Sequence, residues 1–393
     1  MSELRPSLFP VVLAGFTAFL DLYATQPLLP MLMRVFDASH FAVSLTVTAP
    51  TMAVAIAAPI IGRVSDIAGL KRLIVASAFL LAVATAGAST ASGLWSFTGW
   101  RFVQGLATPG IFAVAIAYIH AEYPAWFTGR ATAAYVSGTV VGGFCGRALT
   151  GLVAASFGWK TAFVVLAAVN LAAAGALAMW MPREKPVVRH RPARDHGASV
   201  LRLLRNRQLF ATNIVGFCVL FSQVAMFTYV TFHLEAAPYR LSTAALGYLF
   251  VVYLFGAAVT PLAGRCVDVY GHRFGLAVGM AVGATGALLT LATPLPFIVV
   301  GLALVGSGVF IAQATASSYI GVVTAEDRGL AVGLYSSAYY VGGSLGGALP
   351  SLFWETGGWT LCVLLVLAVQ AATLATAFSA WRPATPSAPL ESV

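Results

Sequence analysis

The chain has 393 residues, of which 59% are hydrophobic without counting glycine and only 9% are charged. Soluble domains average roughly 45–50% apolar with glycine included, so this composition excludes an ordinary water-soluble fold and leaves lipid as the solvent of the surface. The net charge of +9 is spread along the chain instead of gathered in one patch, which argues against nucleic acid as a partner.

Uncharged runs of about 20 residues predict membrane-spanning helices. In the first half they cover 8–33, 42–64, 73–92, 94–120, 131–156 and 160–181. In the second half they cover 209–234, 243–265, 274–293, 295–324, 329–353 and 358–380. The run from Leu8 is too long for the apolar region of a cleaved leader and holds Asp21, so it reads as the first span. From Phe274 to Ala325 no ionisable Asp, Glu, Lys, Arg or His occurs, and Pro294-Leu295-Pro296 marks the turn between two spans there.

The one long polar segment, 182–208, carries Arg183, Lys185, Arg189, Arg191, Arg194, Arg202, Arg205 and Arg207 and reads as a linker, with a short surface helix expected near 198–206. With the N-terminus inside, the cytoplasmic face receives these eight together with Arg5, Arg63, Lys71, Arg72, Arg130, Arg265, Arg273, Arg328 and Arg382. Only Arg34, Lys160 and Arg240 fall on the other face, while Arg101 and Arg147 lie within spans. That imbalance fits twelve spans with both termini cytoplasmic.

Buried charge marks candidate sites, because an ionisable side chain at membrane depth is costly. Asp21 stands about 13 residues into the first span, roughly 20 Å deep at about 1.5 Å per residue. Thr17 and Thr25 flank it at i−4 and i+4, as one polar stripe. Pro27 and Pro30 follow and predict a bent or broken helix. A lone carboxylate in low dielectric suits proton uptake and release, and a structural ion pair with an arginine is the other reading. Arg101 lies about a third of the way into the fourth span, beside Gln104; lipid-edge snorkelling is its alternative. Arg147 lies in the fifth span, where with Asp21 and Arg101 it leaves one net positive charge that suits an anionic or zwitterionic substrate; placement near a helix end is the bland reading. Gly138, Gly142 and Gly146 share one face of that span and permit close helix packing, and Gly342 and Gly346 answer them in the eleventh. Tyr23, Gln26, Gln104, Tyr118, Arg147, Gln223, Tyr229, Gln313, Tyr335 and Tyr339 are the candidate substrate contacts. His233 and Glu235, at the outer end of the seventh span, read as surface groups or as a gate. The second half holds no charge in mid-span.

Cys145, Cys218, Cys266 and Cys362 sit in apolar stretches without metal-ligand or disulfide spacing and read as small core hydrophobes. No phosphate-binding Gly-Lys-Ser/Thr loop, His-Glu-x-x-His helix or nucleophile elbow occurs, so neither an enzyme, nor a resident cofactor, nor ATP-driven pumping is expected.

The two halves repeat. Pro59, Gly62, Arg63, Asp66, Gly69 and Lys71 recur as Pro261, Gly264, Arg265, Asp268, Gly271 and Arg273 at a constant spacing, each set in the short loop after the second span of its half, with Arg72 closing the first copy. Phe157-Gly158-Trp159 is echoed by Gly357-Gly358-Trp359. Duplication of a six-span unit accounts for both.

On these residues the chain resembles the major facilitator superfamily, whose signature loop runs Gly-x-x-x-Asp-x-x-Gly-x-(Arg/Lys)-(Arg/Lys). The resemblance implies an all-α protein of twelve helices, arranged as two pseudo-symmetric six-helix bundles (1–181 and 209–393) joined by the linker 182–208. It also implies a secondary transporter of the bacterial inner membrane, monomeric, with a small molecule, protons and the lipid bilayer as its partners. The implied role of Asp66 is to clasp the halves near the helix that begins at Gly329. Asp21-Leu-Tyr-Ala-Thr-Gln-Pro27-Leu-Leu-Pro30 resembles the first helix of bacterial drug and sugar exporters, with Arg101 placed to partner Asp21. Proton-coupled efflux of small organic compounds is therefore the implied function. Gly143, however, stands where antiporters of the superfamily carry a proline, which leaves uptake or exchange of an organic anion or sugar open.

Overall fold

Lipid offers no hydrogen bonds, so a single span must pair its own backbone and forms a helix. The computed structural model describes residues 7–182, 202–203, 205–324 and 328–382, without the side chains of residues 62, 63, 66, 260–263, 265, 266, 268 and 328. The described backbone is helix and turn, with no strand among the described residues.

The first span is broken. α1 (Phe9–Leu20) stops before Asp21, a 3₁₀ turn covers Gln26–Leu28, and α2 (Leu29–Val35) completes the crossing. α3 (His40–Ala68), α4 (Leu70–Ser89), α5 (Leu94–Ala107) and α6 (Pro109–Glu122) follow, the last two forming the fourth span about Thr108. α7 (Ala125–Trp180) holds the fifth and sixth spans, turning at Gly158 with φ 80°. The second half contains α8 (Arg207–Glu235), α9 (Thr243–Leu249), α10 (Val252–Tyr270), α11 (His272–Leu289), α12 (Leu295–Val323), α13 (Arg328–Ala348) and α14 (Pro350–Ala380). Among the described residues, eight continuous helical stretches are long and apolar enough to cross a membrane. The expected eleventh span, 329–353, ends early: Pro350 opens a new helix, which turns again at Gly357 and Gly358. Most of the linker, residues 183–201 and 204, lies outside the described residues, as does most of the helix expected there.

The repeated loop has one backbone in both copies. Gly69 and Gly271 both adopt φ 84°, with ψ 147° and 167°, a region that side chains exclude. Lys71 and Arg72 open α4, and Arg273 donates from Nη2 to the carbonyls of Phe378, at 3.0 Å, and Trp381. The side chains of Arg63, Asp66, Arg265 and Asp268, with Gly62, lie outside the described set, and so does the expected clasp at Asp66. Gly264 faces open space.

Each half is seamed by glycine. A methyl on Gly138, Gly142 or Gly146 would run into the carbonyls of Val12, Phe16 and Leu20 in turn, so α7 lies directly on the backbone of α1. A methyl on Gly342 or Gly346 would meet Phe217 and Phe221 of α8 in the same way. In a membrane, where burial gives helices no hydrophobic drive to associate, such close backbone approach is a main source of cohesion.

The halves meet at the end that carries Arg34. Arg34 pairs with Glu235, the Thr48 hydroxyl donates to the Ser344 carbonyl at 2.9 Å, and the Ser344 hydroxyl donates to Thr51 at 3.0 Å. His40 stands edge-on to Phe232 at 4.9 Å and 5.7 Å from Trp354. A methyl on Gly151 would come within 2.8 Å of the Thr243 carbonyl and 2.9 Å of the Gly247 Cα, so α7 and α9 touch through bare backbone. His233, an alternative gate residue from the sequence, instead stacks on Trp359 of its own half at 5.4 Å.

Two substitutions test these seams. Gly142→Val and Gly346→Val overpack equivalent contacts, and each is expected to cost about 1–3 kcal/mol, read as a lower unfolding temperature in detergent. Gly151→Leu is expected to hold α7 and α9 apart and to raise thiol labelling of Thr48→Cys from the Arg34 end; unchanged labelling would show that this contact does not hold the end shut.

Candidate functional site

The site begins where α1 fails. Pro27 has no N–H, so helical pairing cannot continue, and the chain tightens into shorter turns. The Ala24 amide bonds to the Asp21 carbonyl at 3.0 Å, Gln26 to Tyr23 at 3.0 Å and Leu28 to Thr25 at 2.9 Å. Carbonyls at the end of α1 are thereby left short of helical partners in the membrane interior. Arg101, fully buried on α5, supplies them. Its Nη1 donates to the Asp21 carbonyl at 2.8 Å, Nη2 to the Leu22 carbonyl at 2.7 Å and Nε to the Thr46 carbonyl of α3 at 3.1 Å. A planar cation at a helix C-terminus also complements the helix dipole. Thr150 of α7 donates to the Ala24 carbonyl at 2.7 Å and completes the repair.

The Asp21 carboxylate points elsewhere, to neutral donors. Asn170 Nδ2 of α7 donates to Oδ2 at 2.6 Å, and the Thr85 hydroxyl of α4 donates to Oδ1 at 2.9 Å. Gln104 Nε2 reaches Oδ1 at 3.4 Å and Thr85 Oγ1 at 2.8 Å, while its Oε1 accepts from Arg101. Among the described residues no ion pair forms at Asp21. This corrects two expectations. Arg101 meets Asp21 through its backbone, with Gln104 as the side-chain relay, because the broken helix presents carbonyls to the guanidinium. Thr17 and Thr25 do not flank the carboxylate: Thr17 donates back to Leu13 at 2.8 Å, and Thr25, beyond the break, turns to Thr46 at 3.4 Å. The i+4 register is lost once α1 ends.

Arg147 forms a second cluster between the halves. Its Nε donates to Gln26 Oε1 at 2.8 Å and Nη1 to the Gly143 carbonyl at 2.6 Å. Gln26 Nε2 donates onward to Thr228 of α8 at 3.1 Å. Ring faces surround the guanidinium carbon: Phe250 at 4.7 Å, Tyr23 at 4.9 Å and Tyr253 at 5.0 Å, all within cation–π range. Gln223 lies against the Tyr253 hydroxyl, and Tyr339 and Tyr340 neighbour Tyr23. Tyr335 stacks on Tyr339 at 5.9 Å.

The structure thus gathers Tyr23, Gln26, Arg147, Gln223, Tyr335 and Tyr339 at one place and Gln104 at the other. Three further candidates lie apart. Tyr118 donates to the Pro182 carbonyl at 3.1 Å, beside the linker, and Tyr229 donates to the Gly347 carbonyl at 3.1 Å near Trp354. Gln313 is half-buried on α12 and joins neither cluster. Thr85, Asn170, Phe250, Tyr253 and Tyr340 were not singled out from the sequence. Asn170 alone left a signal there, as an amide inside an apolar span. A threonine or an aromatic ring in a span has ordinary alternative uses.

Because Arg101 makes four bonds in one plane, Arg101→Lys is not conservative. The loss of even one charge-assisted bond to a buried carbonyl is expected to cost about 1.5–3 kcal/mol. The variant is expected to unfold at lower temperature and to transport at no more than about a tenth of the wild-type rate, as a 1.4 kcal/mol loss in the working state implies.

Comparison with known proteins places this geometry. The family model of the Major Facilitator Superfamily matches residues 11–257 and 234–392. The MFS-type transporter YybF of Bacillus subtilis (strain 168) is 30% identical over 356 residues, covering 90% of this chain and 88% of that protein. The inner membrane transport protein YnfM of Escherichia coli (strain K12) is 30% identical over 371 residues, covering 92% and 88%. In fold, the chain is similar to a bacterial homologue of the human lysosomal transporter Spinster in an inward-facing, occupied conformation, with TM-score 0.75, 16% identity and coverage of 97% and 98%. With the repeated loop, the paired glycine seams and these matches along its length, the chain is a multi-pass membrane transporter that belongs to the Major Facilitator Superfamily.

Proposed function

We propose that the protein is a secondary active transporter in which Asp21 carries the coupling proton and a small organic compound binds between the halves, at the Arg147 cluster. The observation that carries this is the environment of Asp21: a buried carboxylate held by hydroxyl and amide donors instead of a cation. A carboxylate locked in an ion pair must break that pair to take up a proton. Here the partners can adapt. The Thr85 oxygen lies 2.9 Å from Asp21 Oδ1 and 2.7 Å from the Leu81 carbonyl, so its single proton has an acceptor whether Asp21 is charged or neutral.

Alternating access follows from the division of contacts. Many of the described contacts between the halves lie at the Arg34 end, with Phe112 meeting Tyr340 at 5.8 Å deeper in the interface, and a state shut at the Arg34 end accounts for them. We assign 1–181 and 209–393 as the moving bundles and 182–208 as their cytoplasmic connection. The first-helix pattern supports efflux of drug-like or sugar-like compounds in exchange for protons. A second reading, uptake of an organic anion with protons, is favoured by Arg147, which has no acidic partner among the described residues.

Purified protein in liposomes with an imposed pH gradient tests the coupling. Wild type is expected to accumulate substrate against its gradient, and Asp21→Asn to lose uphill transport while retaining downhill exchange. Uphill transport by Asp21→Asn would remove Asp21 from the coupling role.

A further inference from the structure

We infer that the Arg147 cluster is a binding site for a small organic anion with a flat apolar body, its carboxylate or sulfonate on the guanidinium and its ring among the aromatic side chains. It rests on the proposed substrate site between the halves and names the class of compound that site takes. A guanidinium offers five N–H donors. Among the described residues Arg147 uses two, on Gln26 and Gly143, and both acceptors are neutral. The buried cation therefore keeps donors and charge in reserve.

A purely structural arginine provides the contrast within the same fold. Arg101 spends its donors on four oxygens and is 0% exposed. Arg147 keeps 5% exposure, Tyr253 and Tyr340 keep 6%, and Tyr23 and Tyr339 keep 8%, so these groups are less tightly enclosed than Asp21 and its partners. Tyr23 adds an independent sign. Its hydroxyl is buried without a hydrogen-bond partner among the described residues, although its ring covers the guanidinium. A buried hydroxyl left unpaired is unfavourable, and an anionic oxygen on the fork would accept from it as well.

The chemistry limits the ligand further. Ring faces on the guanidinium favour a flat partner over a bulky polar one. A cationic compound would face the Arg147 guanidinium, which has no carboxylate beside it among the described residues. Gln26 ties the site to motion, because it holds Arg147 with its oxygen and Thr228 of the other half with its nitrogen.

Equilibrium binding tests this. Full-length protein in detergent is titrated by calorimetry and by thermal shift with benzoate, phenylacetate and benzenesulfonate, and with benzamide and benzylammonium as neutral and cationic counterparts. At least one anion is expected to bind, with both counterparts at least about tenfold weaker, as loss of a charge-assisted bond implies. Arg147→Gln is expected to abolish anion binding, Arg147→Lys to retain a part of it, and Tyr23→Phe to weaken it several-fold. Arg147→Lys and Tyr23→Phe keep the reading open to test if Arg147→Gln does not fold. Binding by none of the anions, equal binding of the counterparts, or wild-type affinity in Arg147→Lys and Tyr23→Phe together would overturn the inference. The coupling test reads uphill transport and this one reads affinity, so they can fail separately. Anion binding alongside intact uphill transport by Asp21→Asn would reject the coupling role alone.

Discussion

The guanidinium of Arg101 on the buried carbonyls of Asp21 and Leu22 is the contact on which the site depends. Two prolines prevent the first helix from crossing in one piece, and lipid cannot satisfy the carbonyls this leaves. A fully buried cation takes their place. It binds α1, α3 and α5 through one planar group, and Gln104 extends that hold to the Asp21 carboxylate. The carboxylate is thereby positioned by its own backbone and left free of an ion pair. The position of the Asp21 carboxylate is a consequence of how the broken helix is capped.

The duplication sets a frame that the chemistry does not respect. Gly142 meets Phe16 as Gly346 meets Phe221, so α1 on α7 and α8 on α13 are the same seam. Followed along that seam, the place of Asp21 in the second half belongs to Met226, which is fully buried. Asn170, counted from the turn at Gly158, corresponds to Gln370, counted from Gly358. Gln370 is buried and neither of its amide atoms has a partner among the described residues, whereas Asn170 is bonded to Asp21. The amide persists in both halves but has a carboxylate to serve in only one. The second half instead contributes Phe250, Tyr253, Tyr339 and Tyr340, the aromatic wall of the Arg147 cluster.

The junction of the halves at the Arg34 end rests on many small contacts. An exposed pair such as Arg34–Glu235 contributes at most about 1 kcal/mol. The backbone approach of Gly151 to Gly247, the Thr48–Ser344–Thr51 bonds and the His40–Phe232–Trp354 rings add to it without any one dominating. Contacts of this kind can be undone by a modest difference in ligand affinity between two states.

The helical spans and the repeat were legible in the sequence, because hydrophobic run length, turn glycines and the placement of arginine are local properties that lipid enforces span by span. The sequence also marked Asp21, Arg101 and Arg147, since a charge at membrane depth stands out wherever it occurs. It could not say what each charge touches. The register of Thr17, Asp21 and Thr25 assumed an unbroken helix, and the break sent those threonines to other carbonyls. Thr85 and Asn170 reach Asp21 across 64 and 149 residues of chain, and the Phe250 and Tyr253 rings on Arg147 come from the opposite half. Only the packing of the helices decided those neighbours, because partner choice at depth depends on which faces the glycine seams turn toward one another.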